Sequence, residues 1–132
     1  MKRLLSICLV LLFASSSFAS DKIIKILAIG NSFSEDAIEQ NLHELADAEG
    51  IRTIIGNLYI GGCPIEKHVR NIRSDSDAYR YRKIGLDGLM RTTPHVSIAK
   101  ALSEEDWDYV SVQQASGVSG VYDSYKLLPE LV

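Results

Sequence analysis

The sequence has 132 residues, with 14 basic and 17 acidic side chains and a formal net charge of −3. That length holds one domain with one core, and the mildly acidic balance excludes generic nucleic-acid binding. Its two cysteines are Cys8 and Cys63; the first falls in a segment expected to be removed, so no internal disulfide staples the fold.

Lys2 and Arg3 open the chain with a basic start, and Leu4 to Phe13 is an apolar stretch too short to cross a bilayer. The small residues that follow end in Ser17-Phe18-Ala19, the form of a signal-peptidase site. Residues 1–19 are therefore expected to be a signal peptide, and residues 20–132 a secreted or periplasmic α/β domain with no stable membrane span. Ile7 is too bulky and Cys8 too early for a lipoprotein anchor.

Ile23 to Ile29 is an apolar run broken only by Lys25, the pattern of a strand buried on both faces. Glu35 to Glu49 is predicted as one helix, with Ile38, Leu42, Leu45 and Glu49 on one side, joined by Ala46, and Gly50 as its stop. Arg52 to Leu58 is a second strand, followed by the turn Gly61-Gly62-Cys63-Pro64. Ile65, Val69 and Ile72 recur at helical spacing, and Ala78 to Ile84 reads as either strand or helix. Gly85 to Thr93 is predicted as a loop and Val96 to Leu102 as a short helix. Tyr109 to Gln113 is a third strand. A helix could start at Tyr125, with Pro129 awkward inside it. Alternation of strands and helices predicts a parallel sheet with helices on both faces. Three strands make a thin sheet, so the chain reads as the front half of a larger α/β domain.

Asn31-Ser32, Gly61-Gly62 and Gln113-Gln114 each follow a predicted strand. In a parallel sheet those ends share one edge, where α/β folds bind ligands. Acyl transfer needs a nucleophile and donors aimed at the developing oxyanion. Ser32 suits the first role; an unshielded glycine N–H and a glutamine amide suit the second. The bland alternative for Ser32 is strong, because Ser32 and Glu35 have capping-box spacing at a helix start. Gly61-Gly62 could be a simple turn, and the two glutamines could be strand-end residues that satisfy backbone groups.

The three blocks carry a resemblance. Gly30-Asn31-Ser32-Phe33-Ser34, Asn57 to Cys63 and Trp107 to Gly117 are similar to a secreted bacterial branch of the SGNH/GDSL hydrolases. The resemblance implies a three-layer α/β/α, flavodoxin-like fold and an ester hydrolase acting on a small-molecule or carbohydrate ester, with no metal or organic cofactor. It implies Ser32 as nucleophile, with Ser32 N–H, Gly62 N–H (and possibly that of Gly61) and the amide of Gln113 or Gln114 as oxyanion donors. Two departures stand out: Asn31 replaces the usual aspartate, and no asparagine follows the third strand. The superfamily's Asp-x-x-His block is absent, since Gln40, Ile65 and Thr92 precede His43, His68 and His95 by three residues. The chain as given is therefore expected to be inactive or very weak. The alternative is a non-catalytic glycan- or anion-binding module.

The remaining signals have bland readings. His43-Glu44-Leu45-Ala46-Asp47 imitates a zinc-protease helix, but Asp47 stands where the second histidine belongs. Cys63 with His68 suggests a thiol nucleophile, though a lone cysteine is more often a small packed residue. Gly30 opens no dinucleotide fingerprint, because Ser32 and Glu35 occupy the later glycine positions. Arg70, Arg73, Arg80, Arg82 and Lys83, interleaved with Tyr79 and Tyr81, suit sugar faces or anions, with a solvated surface as the simpler alternative.

Overall fold

The computed structural model describes residues 22–132; the expected signal peptide lies outside the described residues. Strand β1, Ile23–Gly30, forms over the apolar run, and its last four residues are buried. Strand β2, Arg52–Tyr59, pairs with it in parallel from Ile23↔Arg52 to Gly30↔Tyr59. Strand β5, Tyr109–Val112, pairs in parallel with the other side of β1. The three strands read from the sequence are thus neighbours pointing one way, and their carboxyl ends share a rim.

The sheet nevertheless has five strands, in the order β4-β3-β2-β1-β5, and is mixed where a wholly parallel one was expected. Strand β3, Tyr79–Ile84, runs antiparallel to β2, and β4, Met90–Val96, antiparallel to β3. The segment expected to be a loop is a tight turn and most of β4. So short a connection can only reverse the chain, since a parallel return needs a crossover of a dozen residues or more. β4 tolerates Pro94 because it is an edge strand, and His95 takes φ 56° beside the register shift opposite Tyr79/Tyr81.

The helix expected over 35–49 is broken into pieces. A single turn α1, Ser32–Ser34, runs into a π-helical turn, Glu35–Glu39, and α2, Leu42–Ala48, restarts after Asn41 at φ −138°. Leu42 and Ala46 are half-buried, but Leu45, also expected on the inward side, is 65% exposed. Helix α3 covers Ile65–Arg73, and α4 covers Ile98–Leu102, capped by Ser97 Oγ accepting from the Lys100 N–H. The last segment forms short 3-10 turns, including Tyr122–Tyr125 and Leu128–Glu130, and no helix from Tyr125.

Alternation along the strands assigns the two faces. Thr53 and Asn57 turn toward α1 and α2: His43 Nδ1 meets Thr53 Oγ1 at 3.0 Å, and Ser34 Oγ donates to Asn57 Oδ1 at 2.9 Å. Leu27, Ile29, Leu58, Tyr79 and Tyr81 turn the other way and pack with Ile98 and Ala101 of α4 in the main core. Helices on both faces of this mixed sheet make it an α/β fold of three layers.

Candidate active site

The rim at the carboxyl ends of β1, β2 and β5 is held together by Asn31. Its side chain is 1% exposed. Asn31 Oδ1 accepts from the Phe33 N–H at 3.1 Å and so caps α1. Its Nδ2 donates to the Cys63 carbonyl at 3.1 Å and to the Gln114 carbonyl at 3.3 Å. One amide therefore ties the loop after β1 to those after β2 and β5. Aspartate could accept from Phe33, but an ionised carboxylate has no hydrogen to give two carbonyls.

Because Asn31 caps the turn, Ser32 does not. The Ser32 side chain is exposed, and its hydroxyl has no hydrogen-bond partner among the described residues. As the first residue of a helical turn, its N–H has no intrahelical acceptor. Gly30, just before, must lack a side chain: a Cβ there would stand 2.4 Å from Ser34 Oγ.

The Gly61-Gly62 turn is fastened to the end of β1 at Gly30. The Ile60 N–H donates to the Gly30 carbonyl at 3.2 Å, and the Cys63 N–H closes the turn on Ile60 at 3.2 Å. Cys63 in turn accepts from Asn31. Gly62 has φ 61°, and a Cβ on it would meet nothing within 4 Å. Its N–H has no protein acceptor among the described residues. The turn is both a demand for positive φ and an open surface.

The two glutamines separate. Gln114 is 7% exposed and fully used: Oε1 accepts from the Ile65 and Ala115 N–H groups, and Nε2 donates to the Ser124 carbonyl and hydroxyl at 3.0 Å each. It pins the start of α3 to the β5 loop and has no hydrogen left for an oxyanion. Gln113 stays uncommitted. Its Oε1 is enclosed without a partner among the described residues, 3.1 Å from where a Gly30 Cβ would stand.

A polar network under the turn was not legible as such. Arg82 donates to Glu35 at 2.7 Å and to Glu39 at 2.8 Å. Glu39 accepts from Asn57 Nδ2, and Asn57 Oδ1 accepts from Ser34, whose hydroxyl also reaches the Asn31 carbonyl at 2.8 Å. Glu35 and Glu39, four residues apart on the π-helical turn, share one guanidinium. The available signal was Asn57, a lone amide inside the otherwise apolar Ile54-Ile55-Gly56-Asn57-Leu58 run.

None of the histidines reaches Ser32. His43 is bonded to Thr53. His95 is exposed, 3.9 Å from Asp77. His68 is buried under the opposite face, its Nδ1 2.8 Å from the Tyr79 hydroxyl and 3.6 Å from Cys63 Sγ. Burial pushes its pKa down to about 4 and that of Cys63 up to about 11. A protonated, enclosed thiol is a packed residue and no nucleophile. Among the described residues, no group of three or more His, Cys, Asp or Glu side chains could hold a metal.

A family described as "Domain of unknown function (DUF4886)" matches residues 25–132. No curated protein matches. The chain is 62% identical to a DUF4886 family protein from Bacteroides uniformis ATCC 8492 of known crystal structure, with a TM-score of 0.81. The match covers 83% of this chain and 43% of that one, so the chain spans less than half of its relative's length.

Proposed function

The chain belongs to the DUF4886 family, and on that premise we propose that it is the nucleophile-bearing portion of a secreted serine ester hydrolase of the SGNH type, acting on an acyl group carried by a carbohydrate. The observation that supports this most is the unpartnered Ser32 hydroxyl on the rim: the competing role of helix cap is filled by Asn31.

In this reading Ser32 Oγ attacks the ester carbonyl carbon and its proton passes to a general base. The tetrahedral oxyanion is held by the N–H groups of Ser32 and Gly62, with the Gln113 amide as the available side-chain donor. Collapse expels the alcohol, which takes the proton back from the base, and water then cleaves the acyl-serine by the same steps. The base is assigned to the part of the longer protein that the match leaves uncovered. A serine without a base is a weak nucleophile, so slow turnover is expected of these residues alone.

Fluorophosphonate labelling with peptide mapping tests the reading. The expected result is one modified residue, Ser32, lost in Ser32→Ala, with much faster labelling in the full-length Bacteroides uniformis relative. No labelling in either protein, or label scattered over many serines, overturns it. The absence of a histidine near Ser32 favours one rival, a glycan-binding module, which predicts saturable sugar binding with no covalent label.

A further inference from the structure

Two arginines stand over the ring of Tyr59, the last residue of β2. Arg82 Cζ is 4.2 Å from the ring centroid and Arg80 Cζ is 5.0 Å from it. Their circumstances differ. The Arg82 side chain is 13% exposed and its charge is taken by Glu35 and Glu39. Arg80 is exposed and has no carboxylate partner among the described residues. A guanidinium held on an aromatic face presents its forked N–H groups in a fixed direction, the arrangement that reads carboxylates and phosphates.

The location gives this meaning. Arg80 pairs directly with Tyr59, and Tyr59 with Gly30. Alternation puts Arg80, Tyr59, Asn57 and the Ser34 contact on one face, the face on which the Ser32 turn sits. The Tyr59 hydroxyl lies 3.4 Å from where a Gly61 Cβ would stand, so the ring follows the Gly61-Gly62 turn. The Arg80 backbone thus stands two strand spacings from Gly30, roughly 10 Å, with Ser32 two residues further along the chain.

We propose that Arg80, held on the Tyr59 ring beside the Gly61-Gly62 turn, is an anion-recognition residue, and that the ester met at Ser32 carries a negatively charged group a few bonds from its carbonyl. This deepens the hydrolase reading and rests on it for the word ester; the anion site itself does not depend on turnover.

The test uses the full chain and amide NMR, with glutarate as the anionic probe and glutaramide as its neutral counterpart. Glutarate is expected to shift the Gly61, Gly62 and Ser32 amides saturably, and glutaramide to leave them in place. Arg80→Gln is expected to raise the glutarate dissociation constant at least tenfold, with Arg80→Lys in between. Tyr59→Leu, which frees the guanidinium, is expected to weaken binding several-fold. Ser32→Ala abolishes fluorophosphonate labelling but retains the glutarate shifts, so the two readings fail separately. No shift with glutarate, an equal shift with glutaramide, or unchanged binding in Arg80→Gln overturns the proposal.

Discussion

At the scale of single residues, the rim depends on Asn31 being an amide. Asn31→Asp replaces two donated hydrogen bonds by a carboxylate facing the Cys63 and Gln114 carbonyls. The expected destabilisation is about 2–4 kcal/mol at neutral pH, measured by urea unfolding; a change within about 0.5 kcal/mol contradicts the role given to it. His68 supplies a second residue-level prediction. Its folded pKa, about 4, lies below the ordinary value of 6.5 because burial disfavours the charged ring. Between those values the unfolded chain binds the extra proton, so stability is full above pH 6.5 and falls as pH drops toward 4. The loss attributable to this one group is about 3 kcal/mol. His68→Asn keeps an acceptor for the Tyr79 hydroxyl and is expected to flatten the slope of unfolding free energy between pH 6.5 and 4; an unchanged slope places the acid sensitivity elsewhere.

At the scale of elements, the π-helical turn is where the Ser32 segment is fixed to the sheet. Arg82→Met leaves the 5%-exposed Glu39 side chain without its cation, with an expected cost of about 3–5 kcal/mol. Adding Glu39→Gln is expected to recover part of that cost, a coupling visible in a double-mutant cycle; strict additivity means the network is decorative. This turn also shows where sequence reading ran out. The strands ending at Gly30 and Tyr59 were legible because buried parallel strands are nearly continuous apolar runs. The helix expected over 35–49 is not one piece: its apolar spacing runs on through Gln40 and Asn41, where the structure interrupts it. β3 was half legible, since Tyr79 and Tyr81 alternate with Arg80 and Arg82, yet three basic residues in six obscured the period. β4 was invisible because only Val96 of its residues is buried, and an exposed edge strand has no burial pattern to betray it. In the candidate site, chain order put Ser32, Gly62 and Gln113 after three strands that share a rim, but that Asn31 and not Ser32 caps the turn, and that Gln114 and not Gln113 is spent on backbone groups, needed the hydrogen bonds.

At the scale of the whole molecule, the two edges of the sheet are treated differently. β4 carries Arg91, Pro94 and His95, the charges and proline that discourage further strand pairing. β5 reads Tyr-Val-Ser-Val, pairs among the described residues with β1 alone, and leaves Tyr109 63% and Val110 45% exposed. An apolar, unprotected edge with bare faces invites association with another strand. Residues 20–132 expressed on their own are therefore expected to self-associate, with sedimentation velocity showing mass that grows with concentration. Val110→Lys and Tyr109→Lys are expected to suppress the growth, since a charged edge residue must be desolvated to be paired. Thr92→Lys on β4, an edge already guarded, is the matched control and is expected to change little. Equal effects at the two edges, or a monomer at every concentration without any substitution, would mean that β5 is not the adhesive surface.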